Sequence, residues 1–435
     1  MDRALQRQLI EWKNKPNRLP LLLQGARQVG KTHLMKWFGQ NHFQQSAYFN
    51  FDERPELKSF FDQNKNVHRI IEMLSLISGI TINENTLLIL DEIQECPEAL
   101  NTLKYFAENK PGIPIICAGS LLGVLLNKGF SFPVGKVEFL TLYPMTFREV
   151  LPYWDPTLAK YLENRSTLEE IPSFFVNDLI PQFKKYLITG GMPAVINAFN
   201  LQSQFQPVES VLQNLILSYK GDFAKHPLMS DIAKIGQVFD SLPTQLSREN
   251  KKFVFQLVRN GARAREYEDA IQWLVNAGLV HQIWLISKPA LPLIAYDQFN
   301  AFKLYGMDVG IIRKMSNLSP IVFGEGDRLF TEFKGALTEN YILQSLITQF
   351  PEKPHYWTSG NQAEIDFVIT HENQIIPMEV KSDMNIKSRS LTLYRTKFQP
   401  SLSIRYSLRN LEFRDGLLNI PLYMADYTKE LIEII

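Results

Sequence analysis

Over the first 150 residues, short apolar runs alternate with segments of helical periodicity. The runs are Leu21–Leu23, Ala47–Phe51, Leu87–Leu90, Ile113–Ala118 and Val137–Leu142. Unbroken runs of this kind belong to strands buried on both faces, so the stretch predicts an α/β fold with a mostly parallel sheet covered by helices such as Pro97 to Glu108. From about 155 to 230 the pattern is helical, broken at Gly190-Gly191-Met192-Pro193. Between about 230 and 315 come three helical patterns, the last being Ala264–Ala277, and then the apolar strand Leu279–Ile286. That succession suggests a winged helix, which either presents a helix to DNA or serves as a lid or interdomain contact. After about 320, a helical pattern at Gly335–Phe350 precedes two strand-like runs, Ala363–Thr370 and Ile375–Lys381. The polar stretch His371–Gln374 between those runs makes them a hairpin. The chain thus divides into a core at 1–155, a helical lid or linker at 156–230, a winged-helix-like segment at 231–318 and an α/β domain at 319–435.

The first run leads into Gln24-Gly25-Ala26-Arg27-Gln28-Val29-Gly30-Lys31-Thr32. This fits GxxxxGK[ST], the loop that wraps the phosphates of a nucleoside triphosphate. Glycines let backbone N–H groups close around the phosphates, a lysine reaches the β and γ phosphates, and a Thr hydroxyl holds Mg²⁺. The candidate nucleotide-contacting residues are Gly25, Ala26, Arg27, Gln28, Val29, Gly30, Lys31, Thr32 and the adjoining His33. A second signature is Thr86-Leu87-Leu88-Ile89-Leu90 ending in Asp91-Glu92. Carboxylates at the C-terminal end of such a strand emerge where open α/β sheets bind ligands. Asp91 is expected to hold Mg²⁺ and Glu92 to orient the attacking water. The ordinary alternative is that the pair caps the helix after Pro97. Two adjacent acids rather than a lone Asp argue for hydrolysis over simple binding.

At 435 residues the chain is too long for one ordinary core. Its 45% hydrophobic and 21% charged content are those of a globular protein, and no run approaches a membrane span. Met1-Asp2-Arg3 leads into a polar helix rather than a secretory signal, so a cytoplasmic location is expected. Cys96 and Cys117 are too few for a disulfide framework or a zinc site. The net charge of +1 says little about partners, but Lys381, Lys387, Arg389, Arg395, Lys397, Arg405 and Arg409 face the single acid Asp383 in their stretch. That stretch suits phosphates or a solvated surface equally. A smaller basic group comprises Lys251, Lys252, Arg259, Arg263 and Arg265.

The C-terminal hairpin carries the second candidate site. With His371 to Gln374 as the loop, Thr370 faces Ile375 and Asp366 lies opposite Glu379. Opposed side chains have Cβ atoms about 4.5–5.5 Å apart, and like charges so placed repel. Something positive is expected between them: a divalent metal on hard oxygen ligands, or the ammonium of Lys381, which shares the face of Glu379. Two carboxylates and a lysine are the arrangement of a metal-dependent nuclease, with Glu339 as a further ligand. Against this, Glu-x-Lys also begins at Glu56, Glu108, Glu249 and Glu332, and the same register sets Glu364 opposite Lys381 as an ordinary ion pair. A one-residue change of loop length would move Asp366 off Glu379.

The chain resembles bacterial and archaeal AAA-type ATPases fused to a C-terminal domain of unknown function. The resemblance rests on Gly25–Thr32, Leu90-Asp91-Glu92-Ile93-Gln94, Ala118-Gly119-Ser120, Gly190-Gly191-Met192-Pro193, Gly261-Ala262-Arg263-Ala264-Arg265 and Glu379-Val380-Lys381-Ser382. It implies a P-loop AAA core, a helical and winged-helix middle, and a C-terminal domain similar to the restriction-endonuclease fold. It maps that fold's carboxylate and lysine pattern onto Glu339, Asp366, Glu379 and Lys381. The cofactors it implies are ATP and Mg²⁺, with DNA and a second copy of the chain as further candidate partners. Ser120 takes the place of a sensor for the γ phosphate, although a helix cap is equally natural there. The group often carries Gly-Arg where this chain has Gly135-Lys136, and lysine lacks arginine's planar fork. Arg148, Arg263 and Arg265 are the remaining candidates for an arginine finger.

Overall fold

The computed structural model describes residues 1–62, 65–120, 122–126, 135–202, 204–224, 229–248, 251–320, 331–360, 362–382 and 389–435. Of the residues weighed above, Glu249, Asp383 and Lys387 lie outside them, as does Leu121 of the sequence after Ser120. The chain forms two compact units, the first comprising residues 2–143 and 276–279, the second 144–275 and 280–435 together with Met1.

The first unit is built on a five-stranded sheet of β1 (Leu21–Gln24), β2 (Gln45–Asn50), β3 (Thr86–Asp91), β4 (Ile115–Ala118) and β5 (Glu138–Thr141). Its order is β2-β3-β4-β1-β5, with every pairing parallel. All five strands fall where the apolar runs predicted them. Every residue of β3 and β4 is buried, as expected of central parallel strands covered on both faces. One such cover comes from Pro97–Asn109, which buries Ala99, Leu100, Leu103 and Phe106. Both cysteines are buried and reduced. Desolvation pushes the Cys96 thiol up to about 11 and Cys117 higher still, so neither is a reactive thiolate.

The second unit combines helices with an eight-stranded mixed sheet. Its helices include Phe147–Trp154, Ser173–Thr189, Pro193–Gln202, Phe205–Phe223, Met229–Leu246, Ala264–Asn276 and Thr331–Gln349. The strands are β6 (Val280–Ile286), β7 (Asp297–Gly306), β8 (His355–Thr358), β9 (Glu364–His371), β10 (Gln374–Val380), β11 (Ser403–Ser407), β12 (Glu412–Arg414) and β13 (Leu417–Pro421). They run β12-β13-β11-β10-β9-β8-β6-β7. The strand expected to belong to a winged helix, β6, pairs with β7 and is part of the same sheet as the C-terminal strands, through the parallel pairing of Leu285 and Ile286 with Tyr356 and Trp357. A boundary at residue 318 falls inside this one sheet. Of the three helical patterns expected after residue 230, the middle one is only a 3₁₀ turn, Phe255–Leu257.

The Gly190-Gly191 break has a packing cause. A Cβ on Gly191 would lie 1.8 Å from the Met145 carbonyl oxygen, and one on Gly190 2.1 Å from the Asp308 carboxylate. Asp308 is wholly buried, accepts the Gly191 and Ile311 N–H groups at 2.6 and 3.0 Å, and so ties the break to the start of Val309–Met315. Burial lifts its carboxyl to about 6. This motif is a structural joint.

Candidate nucleotide-binding site

β1 ends at Gln24 and the chain turns at Gly25, whose φ is +141°. A Cβ there would sit 2.2 Å from the Leu142 carbonyl oxygen, so only glycine fits. Gln28 and Gly30 adopt φ of 66° and 100°, the left-handed geometry that wraps a loop before a helix. The helix Lys31–His42 follows, with the N–H groups of its first turn available to an anion. Val29 and Ala26 are buried, so their side chains serve the core and only their backbone serves the loop. His33 is exposed on the helix and Arg27 is half-buried. Lys31 is itself buried, and its ammonium donates to the Gly25 and Ala26 carbonyls at 2.7 and 2.8 Å. Desolvation pulls this ammonium down to about 8, against the opposing pull of Glu92 and Asp91.

The end of β3 meets this loop. Asp91 accepts the Thr32 hydroxyl at 2.6 Å and the Tyr48 hydroxyl at 3.0 Å on Oδ2, while Oδ1 accepts the Glu92 N–H at 3.0 Å. Burial raises its carboxyl pKa and these hydrogen bonds oppose the shift. Glu92 takes a left-handed backbone, φ 50°, and its Oε2 accepts from Gln94 at 2.5 Å and from the Ser120 hydroxyl at 3.4 Å. Lys31, Thr32, Asp91, Glu92 and Ser120, which the motifs nominated from three separate stretches, are thus joined in one site. The set fits a triphosphate with Mg²⁺: a wrapped loop of N–H donors, an ammonium, and a hydroxyl beside a carboxylate.

Three participants were missed in the sequence. Tyr48 approaches Asp91 from the neighbouring strand, and only knowledge that β2 pairs with β3 would have found it. Gln94 stood inside a quoted motif, but nothing in its spacing gave it a role. Gly278 lies far along the chain, yet its turn belongs to this unit. Its φ is +71° and a Cβ on it would lie 3.3 Å from the Ala26 nitrogen.

The candidate fingers are otherwise engaged or uninformative. Lys136 pairs with Glu108 at 3.1 Å. Arg148 is bound within the second unit by Glu163 at 2.7 Å, by Glu430 and by Tyr427. Arg263 and Arg265 are exposed at the start of Ala264–Asn276. That helix also exposes Glu266, Glu268 and Asp269.

In the second unit, the expected hairpin register is observed: Ile375 pairs with Thr370 and Met378 with Phe367. The loop is shorter than expected, because His371 and Gln374 also pair. The turn is therefore Glu372-Asn373, both at positive φ, the two-residue type I′ geometry that matches strand twist. Regular pairing stops before Asp366, whose carboxylate instead accepts the Val380 N–H at 2.8 Å. The expected partners then diverge. Glu379 lies 3.2 Å from Lys381 and 3.7 Å from Arg405. Glu364 pairs not with Lys381 but with Lys303, and Glu339 pairs with Lys251 and accepts the Tyr305 hydroxyl at 3.1 Å. Lys303 is fully buried, and attraction to Glu364, Glu339 and Asp366 overcomes its desolvation and raises its pKa. Asp366 is pushed upward by burial and by the charge of Glu339. Lys381 thus stands beside Glu379, as one of the two expected alternatives had it, while Glu364 and Glu339 take their lysines from outside the hairpin. Among the described residues, no group of three or more His, Cys, Asp or Glu is placed to hold a metal ion.

Comparison with known proteins follows this division. Residues 17–151 match the family model of an AAA domain, 180–321 a domain of unknown function (DUF8612) and 334–424 another (DUF4143). The chain therefore carries an AAA domain, the P-loop NTPase type, followed by two domains of unknown function. Solved structures with similarity include the Walker-type ATPase PABY2304 of Pyrococcus abyssi, at 15% identity and TM-score 0.46, covering 72% of this chain and 95% of that one. Drosophila ORC bound to DNA is also similar, at 14% identity and TM-score 0.28, covering 74% of this chain and 95% of that one. No curated protein matches the chain. Among the described residues, no helix is long and apolar enough to cross a membrane.

Proposed function

We propose that the chain is an ATP-driven switch: its AAA domain binds and hydrolyses Mg²⁺-ATP, and the remaining domains form a binding module that does not cleave its partner. The observation that carries the first part is the meeting of Thr32 and Asp91 at 2.6 Å beside Lys31 and Glu92. In this reading the loop N–H groups from Gly25 to Thr32 and the ammonium of Lys31 hold the phosphates. Thr32 and Asp91 hold Mg²⁺, which when bound neutralises phosphate charge and polarises the phosphoryl oxygens. Glu92 orients the attacking water and Ser120 contacts the γ phosphate. Phosphoryl transfer to water depends on such positioning and charge placement. The choice of ATP over GTP rests on the AAA domain.

The second part departs from a nuclease. A metal-dependent nuclease needs Glu339, Asp366 and Glu379 to share a cation. Here Glu339 and Glu379 each have cationic side chains of their own, and one oxygen of Asp366 accepts a backbone N–H. The test is ATP hydrolysis together with supercoiled-plasmid nicking in Mg²⁺ or Mn²⁺. We expect hydrolysis that Lys31→Ala reduces at least about 100-fold, and no nicking under any condition. Metal-dependent nicking lost in Asp366→Asn would overturn the binding-module reading in favour of the nuclease.

A further inference from the structure

We propose that Gln94 is a positioning residue for hydrolysis, holding one oxygen of Glu92 so that the other stays open to the attacking water; this rests on the ATPase reading. Glu92 begins a tight turn in which the Glu95 N–H reaches back to the Glu92 carbonyl at 2.9 Å. The turn carries Gln94 round to its own motif neighbour, and the amide Nε2 donates to Glu92 Oε2 at 2.5 Å. The Ser120 hydroxyl reaches the same oxygen at 3.4 Å. Glu92 Oε1 accepts no hydrogen bond among the described residues. One oxygen is anchored twice and the other is left for a ligand.

The amide's orientation is set by charge. A carboxylate accepts only, so Nε2 must face it, and the flipped amide would set oxygen against oxygen. The other end, Oε1, is buried with no hydrogen-bond donor. It is pressed against Gly119, where a Cβ would lie 2.1 Å away. A buried acceptor left without a donor calls for a local cause. Gly119 is therefore what admits the amide, and it stands between strand β4 and Ser120. Asp91-Glu92-Ile93-Gln94 and Ala118-Gly119-Ser120 interlock through this one side chain. A shift of Ser120 on meeting the γ phosphate would be felt at Glu92 both directly and through Gly119 and Gln94.

The test compares full-length wild type, Gln94→Leu, Gly119→Ala and Glu92→Gln for steady-state ATP hydrolysis and for the Kd of Mg²⁺-ATP. Leucine keeps the volume of Gln94 and removes the donor, and alanine at 119 displaces the amide while leaving Gln94 in place. We expect kcat to fall at least about tenfold in both, with Kd within about twofold of wild type. A Gln94→Leu protein with wild-type kcat would overturn the proposal, as would kcat and Kd deteriorating together, the pattern of a merely structural residue. Should Gln94→Leu fail to fold, Gly119→Ala decides by the same split. Wild-type turnover abolished by Glu92→Gln but untouched by the Gln94 and Gly119 changes would sink this inference alone; no turnover in wild type would remove the ATPase reading with it.

Discussion

Lys31 is the residue whose chemistry the fold perturbs most usefully. Burial holds its ammonium near pH 8 in the free protein, whereas a triphosphate alongside favours the charged form. Binding must therefore raise the pKa and take up protons near that pH. We predict that calorimetric titration with Mg²⁺-ATP at pH 8, in buffers of different ionisation enthalpy, gives net proton uptake that Lys31→Ala removes. Below pH 8 the lysine is already charged and affinity is at its plateau; above it affinity falls as pH rises. Proton-neutral binding at pH 8 would contradict this assignment. The roles of Lys31, Thr32, Asp91 and Glu92 could be nominated from sequence because each is fixed by a short motif. Tyr48 could not, since its link to Asp91 depends on which strand lies beside β3.

At the scale of elements, the β9–β10 hairpin and the strand β7 carry the decisive charges. Register was legible because alternation and a short polar turn fix it: Thr370 faces Ile375 as expected. The cations were not, because Lys303 and Lys251 reach Glu364 and Glu339 from distant parts of the chain. Removing the fully buried Lys303 leaves Glu364 without its cation. Lys303→Met is predicted to destabilise the second unit by ~3–5 kcal/mol, read by denaturant unfolding. Asp366→Asn is predicted to hold or gain stability, most clearly at high pH. Its acid form is the favoured one in the folded state, so the native carboxyl loses stability as pH rises above the ordinary carboxylate range. The turn Asn276–Leu279 is the other element with a stated consequence. Gly278→Val places a branched side chain at φ +71° against the Ala26 backbone; we predict weaker ATP binding in a folded protein, measured with a fluorescent nucleotide.

For the whole molecule, the five-stranded parallel sheet was legible from apolar runs, most clearly at β3 and β4, where burial on both faces leaves no exposed positions to interrupt the pattern. An apolar strand such as β6 reads the same whether it belongs to a winged helix or to a larger sheet; its pairing with β8 distinguishes them. The P-loop and the acids at the end of β3 lie in the first unit, and the buried acid–lysine pairs lie in the second. In our proposal Asp91 and Glu92 act on a nucleotide held by Lys31 and Thr32. It is tested most directly by measuring ATP turnover and ATP binding side by side in wild type and Glu92→Gln. Turnover is expected in wild type, and in the variant a loss of at least about 100-fold with binding preserved. Unchanged turnover in Glu92→Gln, or no nucleotide binding by the wild-type protein, would contradict it.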